Sequence, residues 1–234
     1  MDTTVIIFAK LPVPGRVKTR LAADVGPQAA SDFYKSCSER VIKEVCRCNK
    51  METILYHSSR DEPSQISAWL KSFAPKNLHQ CAQSSTGDLG DIMYKAMSLE
   101  MSKKGVSKVI ILGTDIPDIN CHILEQAANS LDEYEAVFGP ARDGGYYLLG
   151  FKDHVNEALF QGISWSTSTV LKDSLVKAST VHLSVAPLDT LPTLIDVDTI
   201  EDLKCWASSE PDYEIDSCVS LQDLRMQALK LCEL

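Results

Sequence analysis

The chain has 234 residues, of which 44% are hydrophobic and 24% charged, with a formal net charge of −9. This composition is typical of one large globular α/β domain, and the acidic balance argues against nucleic acid as the main partner. No apolar run approaches the roughly 20 residues that cross a bilayer, and the N-terminus shows no secretory leader. We therefore expect a cytoplasmic protein with no membrane span.

The first predicted element is a buried strand, Val5–Phe8, which opens into a loop built on Pro12, Pro14 and Gly15. The loop carries four cations and no acid: Lys10, Arg16, Lys18 and Arg20. Arg and Lys match phosphate oxygens in charge and geometry, so a polyphosphate is the favoured ligand and a solvated basic loop the alternative. The loop is not a Walker A motif, because Val17 rather than Gly precedes Lys18.

The rest of the chain alternates between helix and strand patterns. Apolar spacing predicts helices at Pro27–Val45, from Pro63 to Phe73, and at Leu89–Met101, Ile123–Leu131, Ser168–Ala178, Thr199–Ala207 and Leu221–Leu231. Strands are predicted at Thr53–Tyr56, Leu78–Gln80, Lys108–Gly113, Ala136–Gly139 and Tyr146–Phe151, and an extended segment at Val181–Val185. The alternation predicts an α/β fold, a single three-layer αβα domain with a mostly parallel sheet and a mixed edge. We expect this domain over residues 1–208, with a C-terminal loop and helix (209–234) packed on it.

Two groups of carboxylates follow predicted strands. Asp115 lies directly after Lys108–Gly113, and Asp196 and Asp198 precede the helix that Thr199 and Asp202 would cap. We place the two aspartates of the second group on one face of a strand. Oxygen ligands of this kind suit Mg²⁺ or Mn²⁺ bridged to phosphates, so Asp115 is favoured as a metal ligand. Asp118 is interpreted as a helix cap or a further ligand.

Three other polar segments are candidates for the same site. Gly87-Asp88-Leu89-Gly90 enters a helix, where Asp88 either caps that helix or binds a ligand. Arg142-Asp143-Gly144-Gly145-Tyr146 is predicted to form a tight hairpin whose glycines serve the turn or a ligand. Trp165 stands among hydroxyl residues at a helix start, as an acceptor-side wall or part of a capped loop.

The eight cysteines are scattered, without a CxxC pair and without histidines at zinc-ligand spacing. We therefore expect free, mostly buried thiols in a reducing compartment.

Five motifs occur in one order along residues 4–206. They are Phe8-Ala9-Lys10-x-Pro-x-Pro-Gly15-x-x-Lys18-Thr19-Arg20-Leu21, Gly87-Asp88-Leu89-Gly90, Gly113-Thr114-Asp115-x-Pro117, Gly139-Pro140-x-x-Asp143-Gly144-Gly145-Tyr146 and Asp196-Val197-Asp198-Thr199-x-Glu201-Asp202-Leu203. Together they resemble the GT-A type nucleotide-diphospho-sugar transferase superfamily. The resemblance is strongest to its little-characterised glycosyltransferase branch, near 2-phospholactate guanylyltransferase and the molybdenum-cofactor nucleotidyltransferases.

The resemblance implies a role for each motif. Catalytic roles fall to Asp115, Lys18 and Asp143. Nucleotide and phosphate binding falls to Lys10, Gly15, Arg16, Lys18, Arg20, Gly87, Asp88 and Gly90. The transferred group or acceptor would contact Asp143, Gly144, Gly145, Tyr146 and Trp165. The implied Mg²⁺ or Mn²⁺ ligands are Asp115 and Asp198. The branch has an Arg where this chain has Ile92, so a ligand contact by that Arg is absent here.

Three functions are compatible with these residues. The favoured one is a metal-dependent glycosyltransferase that uses a nucleotide-diphospho-sugar donor and a small-molecule acceptor. The second is a nucleotidyltransferase that takes a nucleoside triphosphate and releases pyrophosphate. The third is a non-catalytic nucleotide-binding module, which would not need a pair of metal-centred carboxylates. Whether the chain forms a homo-oligomer is left open.

Overall fold

The computed structural model describes residues 2–75, 78–209 and 219–233. Within these ranges the strands are β1 (Thr3–Ala9), β2 (Glu52–His57), β3 (His79–Ala82), β4 (Lys108–Gly113), β5 (Ala136–Pro140) and β6 (Tyr146–Lys152). The α-helices are α1 (Thr19–Val25), α2 (Pro27–Arg47), α3 (Pro63–Leu70), α4 (Leu89–Met101), α5 (Cys121–Ser130), α6 (Val170–Thr180), α7 (Ile200–Ser208) and α8 (Val219–Cys232). None of the helices in these ranges has both the length and the apolarity needed to cross a bilayer.

The six described strands form one mixed sheet in the order β3-β2-β1-β4-β6-β5. β1 pairs in parallel with β2 and β4, and β3 extends the parallel part beside β2. β6 runs antiparallel to both β4 and β5. The predicted mostly parallel sheet with a mixed edge is confirmed. The parallel arrangement brings the carboxyl ends of β1, β2 and β4 to one edge, where their loops lie together.

The core lies on both faces of the sheet because successive strand residues point to opposite sides. Val5 and Ile7 of β1 pack with α2, where Phe33 meets the Trp206 ring of α7 edge to face. Ile6 packs on the other face with Met97 of α4. The predicted three layers are therefore present, and the methionines of α4 serve as core filler.

α8 packs on the same side of the sheet as α2 and α7. Three of its apolar side chains, Leu221, Leu224 and Ala228, are buried in the same cluster as Phe33 and Trp206. The predicted C-terminal helix is confirmed. The loop predicted from residue 209 to 219 lies, apart from its two end residues, outside the described residues.

Three expectations about local structure were wrong. The loop that follows β1 contains a helix, α1, which the apolar pattern did not indicate. The segment expected to be extended at Val181–Val185 begins with a turn at Val181 and His182, and within it Val185 forms an isolated bridge to Ala136. Asp196 and Asp198 do not lie in a strand, since the nearest bridge joins Leu194 to Ala141.

The expectation of free thiols throughout was also wrong. Cys48 at the end of α2 and Cys121 at the start of α5 form a disulfide, with their Cα atoms 5.5 Å apart. The two residues are 73 positions apart, so nothing local in the sequence indicates the pair. Five other described cysteines are free thiols: Cys37, Cys46, Cys81, Cys205 and Cys232. Cys218 lies outside the described residues.

Candidate active site

A cavity of about 400 Å³ opens at the carboxyl ends of β1 and β4. Ligands of open α/β sheets commonly bind in this position. Its lining combines apolar and aromatic side chains with charged ones. The lining residues used below are Lys10, Val17, Lys18, Tyr34, Leu89, Met93, Thr114, Asp115, Tyr146, Ser166, Asp196 and Asp198.

The charged part of the lining is organised around Lys18. Its Nζ lies 2.7 Å from Oδ1 of Asp115, 2.8 Å from Oδ1 of Asp198 and 3.6 Å from Oδ1 of Asp196. The Lys18 side chain is only 4% exposed, whereas those three carboxylates are 35–49% exposed. One buried ammonium therefore holds three solvent-facing carboxylates, which leaves a formal excess of two negative charges.

This clustering shifts the pKa of each member. Burial alone would lower the pKa of Lys18, but the three carboxylates reverse that effect and raise it above its ordinary value. Burial, followed by the charge of Asp115, raises the pKa of Asp196 to about 8, against the opposing effect of Lys18. Burial also acts upward on Asp198, yet Lys18 brings the pKa of that carboxyl below its usual range. Lys18 is thus charged at neutral pH, and of the three carboxyls Asp198 is the one whose negative form the lysine favours most clearly.

Backbone hydrogen bonds join the three chain segments that carry Lys18, Asp115 and Asp198. The Val197 amide donates to the carbonyl of Asp115 over 3.1 Å, and the Leu21 amide donates to the carbonyl of Asp198 over 3.1 Å. The predicted capping box of Thr199 and Asp202 is confirmed. Oδ2 of Asp202 also accepts a hydrogen bond from the Asp198 amide. Lys18 itself adopts a left-handed backbone conformation, with φ 45° and ψ 48°. A non-glycine residue in this region costs energy that the surrounding contacts must offset, a feature that is common at functional sites.

Tyr34 of α2 joins the loops that follow β1 and β4. Its hydroxyl accepts a hydrogen bond from the Lys10 amide (2.9 Å) and lies 3.2 Å from Oγ1 of Thr114. Burial, and next the charge of Asp115, raises the pKa of Tyr34 to about 12. The apolar spacing of Pro27–Val45 predicts only that Tyr34 lies on a helix face. It does not indicate that the Tyr34 hydroxyl reaches the site.

The donor set has the chemistry that a hard divalent cation requires. Asp115, Asp196 and Asp198 offer carboxylate oxygens, which Mg²⁺ and Mn²⁺ prefer. With Lys18 in place, however, no group of three His, Cys, Asp or Glu side chains within the described ranges has the arrangement of a metal site. The three aspartates fit such an ion by donor type and by their excess negative charge. The Lys18 ammonium lies within 3.6 Å of an oxygen of each of them, at the place where such an ion would bind.

Asp118 is neither a helix cap nor a member of this cluster. Asn120 caps α5 by accepting from the Ile123 amide, so the cap expected at Asp118 was wrong. Oδ2 of Asp118 accepts from Nε1 of Trp206 over 2.9 Å, and Arg225 of α8 lies 3.8 Å from its Oδ1. Asp118 therefore joins α7 and α8 to the loop that carries Asp115.

The other cations of the basic loop spread away from Lys18. Arg20 is exposed and lies 3.7 Å from Oδ2 of Asp198. Arg16 donates from Nη2 to Oδ1 of Asp61 over 3.0 Å. Together with Gly15, Arg16 lines a second cavity, and Lys10 belongs to both cavities. The predicted phosphate-binding residues of this loop thus divide between two adjoining pockets, except for Arg20, which lines neither of them.

The Gly87–Gly90 motif lies at the rim of the first cavity, where Leu89 is part of the lining and 44% exposed. Asp88 caps α4 in a capping box with Asp91, so of the two roles expected for this residue the structure shows the helix cap. Gly90 is needed for packing, because a Cβ there would come within 2.7 Å of the Phe160 carbonyl oxygen and 2.6 Å of the Trp165 ring.

We expect Gly90→Ala to lower the free energy of unfolding by about 1–3 kcal/mol, since overpacking forces the backbone or Trp165 to shift. Gly113→Ala is the matched control, because a Cβ at Gly113 has no neighbour within 4 Å and its φ is not positive. Urea denaturation of both variants measures the difference. Equal stability of the two variants would show that the close approach at Gly90 is relieved without cost.

Of the predicted acceptor-side residues, only one lines the first cavity. Tyr146 lines the cavity. Asp143 accepts from the Gly145 amide over 2.9 Å in the hairpin turn, and a Cβ at Gly144 would overlap the Ser168 carbonyl. Trp165 packs beside Gly90, and Ser166 rather than Trp165 is among the lining residues. Asp143, Gly144, Gly145 and Trp165 are therefore not among the residues that line the cavity.

Comparison with known proteins places these features in context. Residues 41–167, more than half of the chain, match the family described as "Uncharacterized protein conserved in bacteria (DUF2064)". No curated protein matches the chain. A protein from Desulfovibrio desulfuricans G20 with the provisional name nucleotide-diphospho-sugar transferase is 31% identical, with a TM-score of 0.86. That match covers 99% of this chain and 97% of the other.

Two more distant solved structures share the fold. One is the 4-diphosphocytidyl-2C-methyl-D-erythritol synthase of Anaerococcus prevotii DSM 20548, at 15% identity and a TM-score of 0.54, covering 86% of this chain and 94% of that one. The other is a cytidylyltransferase of Leptospira borgpetersenii serovar Hardjo-bovis (strain JB197), at 15% identity and a TM-score of 0.51, covering 99% and 97%. At this identity the likeness concerns the fold alone.

Proposed function

The chain belongs to the family of uncharacterized proteins conserved in bacteria (DUF2064) and has a nucleotide-diphospho-sugar transferase-like fold, and on that premise we propose that it is a metal-dependent transferase of a nucleotide-activated substrate. The observation that carries the proposal is the cluster of Asp115, Asp196 and Asp198 on Lys18. This cluster lies in a cavity that apolar side chains also line, at the sheet edge where such folds bind ligands.

The reaction we favour is glycosyl transfer from a nucleotide-diphospho-sugar. The 31% identical relative that matches nearly the whole chain carries a name of that class, which supports the assignment. In this proposal the nucleoside lies toward Leu89 and Met93, which are apolar members of the cavity lining. The diphosphate lies toward Lys10 and Lys18, and the sugar toward Tyr146.

The carboxylates and the lysine have complementary roles. Asp115 and Asp198 would hold Mg²⁺ or Mn²⁺, with Asp196 as a further oxygen donor. The ion, when bound, supplies positive charge that neutralises the diphosphate as it leaves. Lys18 is positioned by the same carboxylates and donates to phosphate oxygens, and the basic loop adds fixed positive charge. Positioning and charge stabilisation of this kind commonly supply the largest part of such catalysis.

A second candidate, nucleotidyl transfer from a nucleoside triphosphate, is favoured by one observation. The second cavity adjoins the first through Lys10 and Val17 and is lined by further cations. A triphosphate carries one more phosphate than a nucleotide-sugar and would use this additional basic surface.

A ligand panel in a thermal-shift assay tests the proposal. UDP-, GDP-, CDP- and ADP-sugars and the four nucleoside triphosphates are compared with Mg²⁺ and with EDTA. A ligand at 100 times its dissociation constant stabilises the protein by about 2.7 kcal/mol, which the assay detects. We expect a Mg²⁺-dependent shift with one nucleotide-sugar. A shift with a triphosphate alone would select nucleotidyl transfer, and a shift independent of Mg²⁺ would indicate a binding module. No shift with any nucleotide would overturn the proposal.

A further inference from the structure

We propose that the second cavity is a phosphate-binding subsite and that Arg60 is its recognition residue. The cavity lies between the β1–α1 loop (residues 10–18) and the β2–α3 loop (residues 58–62), and we call it the Arg60 pocket. This inference deepens the proposed function, because it assigns a second group of the substrates to a defined place beside the carboxylate cluster.

The Arg60 pocket has a volume of about 430 Å³, which is within the usual range of volumes for ligand-binding pockets. Its lining residues are Lys10, Leu11, Gly15, Arg16, Val17, Ser58, Arg60 and Asp61. The two loops are joined at its floor, where the Ser58 amide donates to the Ala9 carbonyl over 3.1 Å. The pocket is therefore built by two chain segments that the parallel pairing of β1 and β2 brings together.

The charge of the pocket is positive although the chain carries −9 overall. Asp61 is its one acid, and that side chain is 2% exposed. Oδ2 of Asp61 accepts from the Leu11 amide over 2.8 Å, and Oδ1 accepts from Arg16 Nη2 over 3.0 Å. The Asp61 carboxylate is thus already used to hold the basic loop and Arg16 in place.

The remaining cations of the pocket are free to bind a ligand. Lys10 and Arg60 are exposed and form no ion pair with any described residue. Arg16 keeps its Nε and Nη1 donors, because its described contacts to Asp61 and to the Arg60 carbonyl are both made by Nη2. Two guanidinium groups and an ammonium around one concavity match the charge and geometry of a phosphate group.

The relation of the two cavities indicates which phosphate would bind there. Leu89 and Met93 of the first cavity belong to α4, and Met93 packs on the sheet face opposite to α2. Lys10 and Val17 line both cavities. A substrate that lies along α4 and Lys18 would therefore extend toward the Arg60 pocket past Lys10 and Val17. The ligand is either the terminal phosphate of a nucleoside triphosphate or a phosphate on a second substrate.

The test compares Arg60→Gln with Arg47→Gln by isothermal titration calorimetry, using inorganic pyrophosphate as the probe. Arg47 is a matched control, because it is exposed in the last turn of α2 and pairs with Glu44. We expect Arg60→Gln to weaken pyrophosphate binding about tenfold, which is the loss of one charge-assisted contact, and Arg47→Gln to bind like the wild type. Equal affinity of the two variants, or no binding of pyrophosphate to the wild-type protein, would overturn the inference.

Two further titrations identify the source of the phosphate. If Arg60→Gln weakens the triphosphate and spares the diphospho-sugar, the pocket binds the third phosphate. If both nucleotides are unaffected while pyrophosphate is weakened, the pocket binds the phosphate of a second substrate. Pyrophosphate binding that depends on Arg60 in a protein that binds no nucleotide would support the subsite and refute the proposed function. If the protein binds nucleotides but Arg60→Gln has no effect on the binding of any probe, the proposed function is supported and the subsite is refuted.

Discussion

Asp115→Asn should abolish the metal-dependent activity while the protein stays folded. The substitution keeps the size of the side chain and the backbone carbonyl that accepts from Val197, but it removes a charged oxygen ligand. We expect kcat/KM for the substrate identified in the ligand panel to fall at least a hundredfold, roughly the effect of losing one group that stabilises developing charge. We also expect the Mg²⁺-dependent part of the nucleotide-induced thermal shift to disappear.

Asp24→Asn is the matched control for this experiment. Asp24 is exposed on α1 and forms no described ion pair, so the same chemical change there should leave activity and the Mg²⁺ response unaltered. Far-UV circular dichroism and the denaturation midpoint establish that both variants are folded. Full activity of Asp115→Asn would refute the assignment of Asp115 as a metal ligand.

Lys18→Met should destabilise the free protein, and Mg²⁺ should restore part of the loss. Removal of the ammonium leaves Asp115 and Asp196 without a described ion-pair partner, and it leaves Asp198 with only the exposed Arg20. Breaking a fully buried ion pair costs about 3–5 kcal/mol. Because these carboxylates are 35–49% exposed, water screens part of their repulsion, and we expect a loss of about 1–3 kcal/mol.

The response to Mg²⁺ separates this explanation from a simple packing defect. A divalent ion is able to replace the missing ammonium, so Mg²⁺ should raise the stability of Lys18→Met more than that of the wild type. Lys104→Met, at an exposed turn position, serves as the control. Urea titrations with Mg²⁺ and with EDTA measure both effects. If Lys18→Met and Lys104→Met were equally stable and equally indifferent to Mg²⁺, the carboxylates would not depend on Lys18.

The two predictions test a relation that the sequence did not reveal. The motifs assigned Lys18 to phosphate and Asp115 and Asp198 to metal, as separate contacts. In the structure the lysine binds the carboxylates directly, and Lys18 and Asp198 are 180 residues apart in the chain.

Regular elements were predictable where the signal is local. The apolar run of β4 and the helical spacing of α4 were predicted with the bounds that the structure has. α1 was missed because its seven residues are too few to show a periodicity and because Lys18 adopts a left-handed conformation that no motif announces. The disulfide and the hydrogen bond between the Tyr34 hydroxyl and Thr114 were missed for a different reason, since each joins segments that are distant in the chain.

The amino-acid sequence by itself therefore determined the α/β class, most of the elements and the residue types that the site would use. These follow from hydrophobic periodicity, turn residues and the chemistry of side chains, which act within a few residues of each other. The tertiary structure alone decided which side chains meet: Asp115, Asp196 and Asp198 on Lys18, Asp61 on Arg16, and Asp118 on Trp206. Strand order and helix packing set those contacts, because they bring loops from distant parts of the chain to one edge of the sheet.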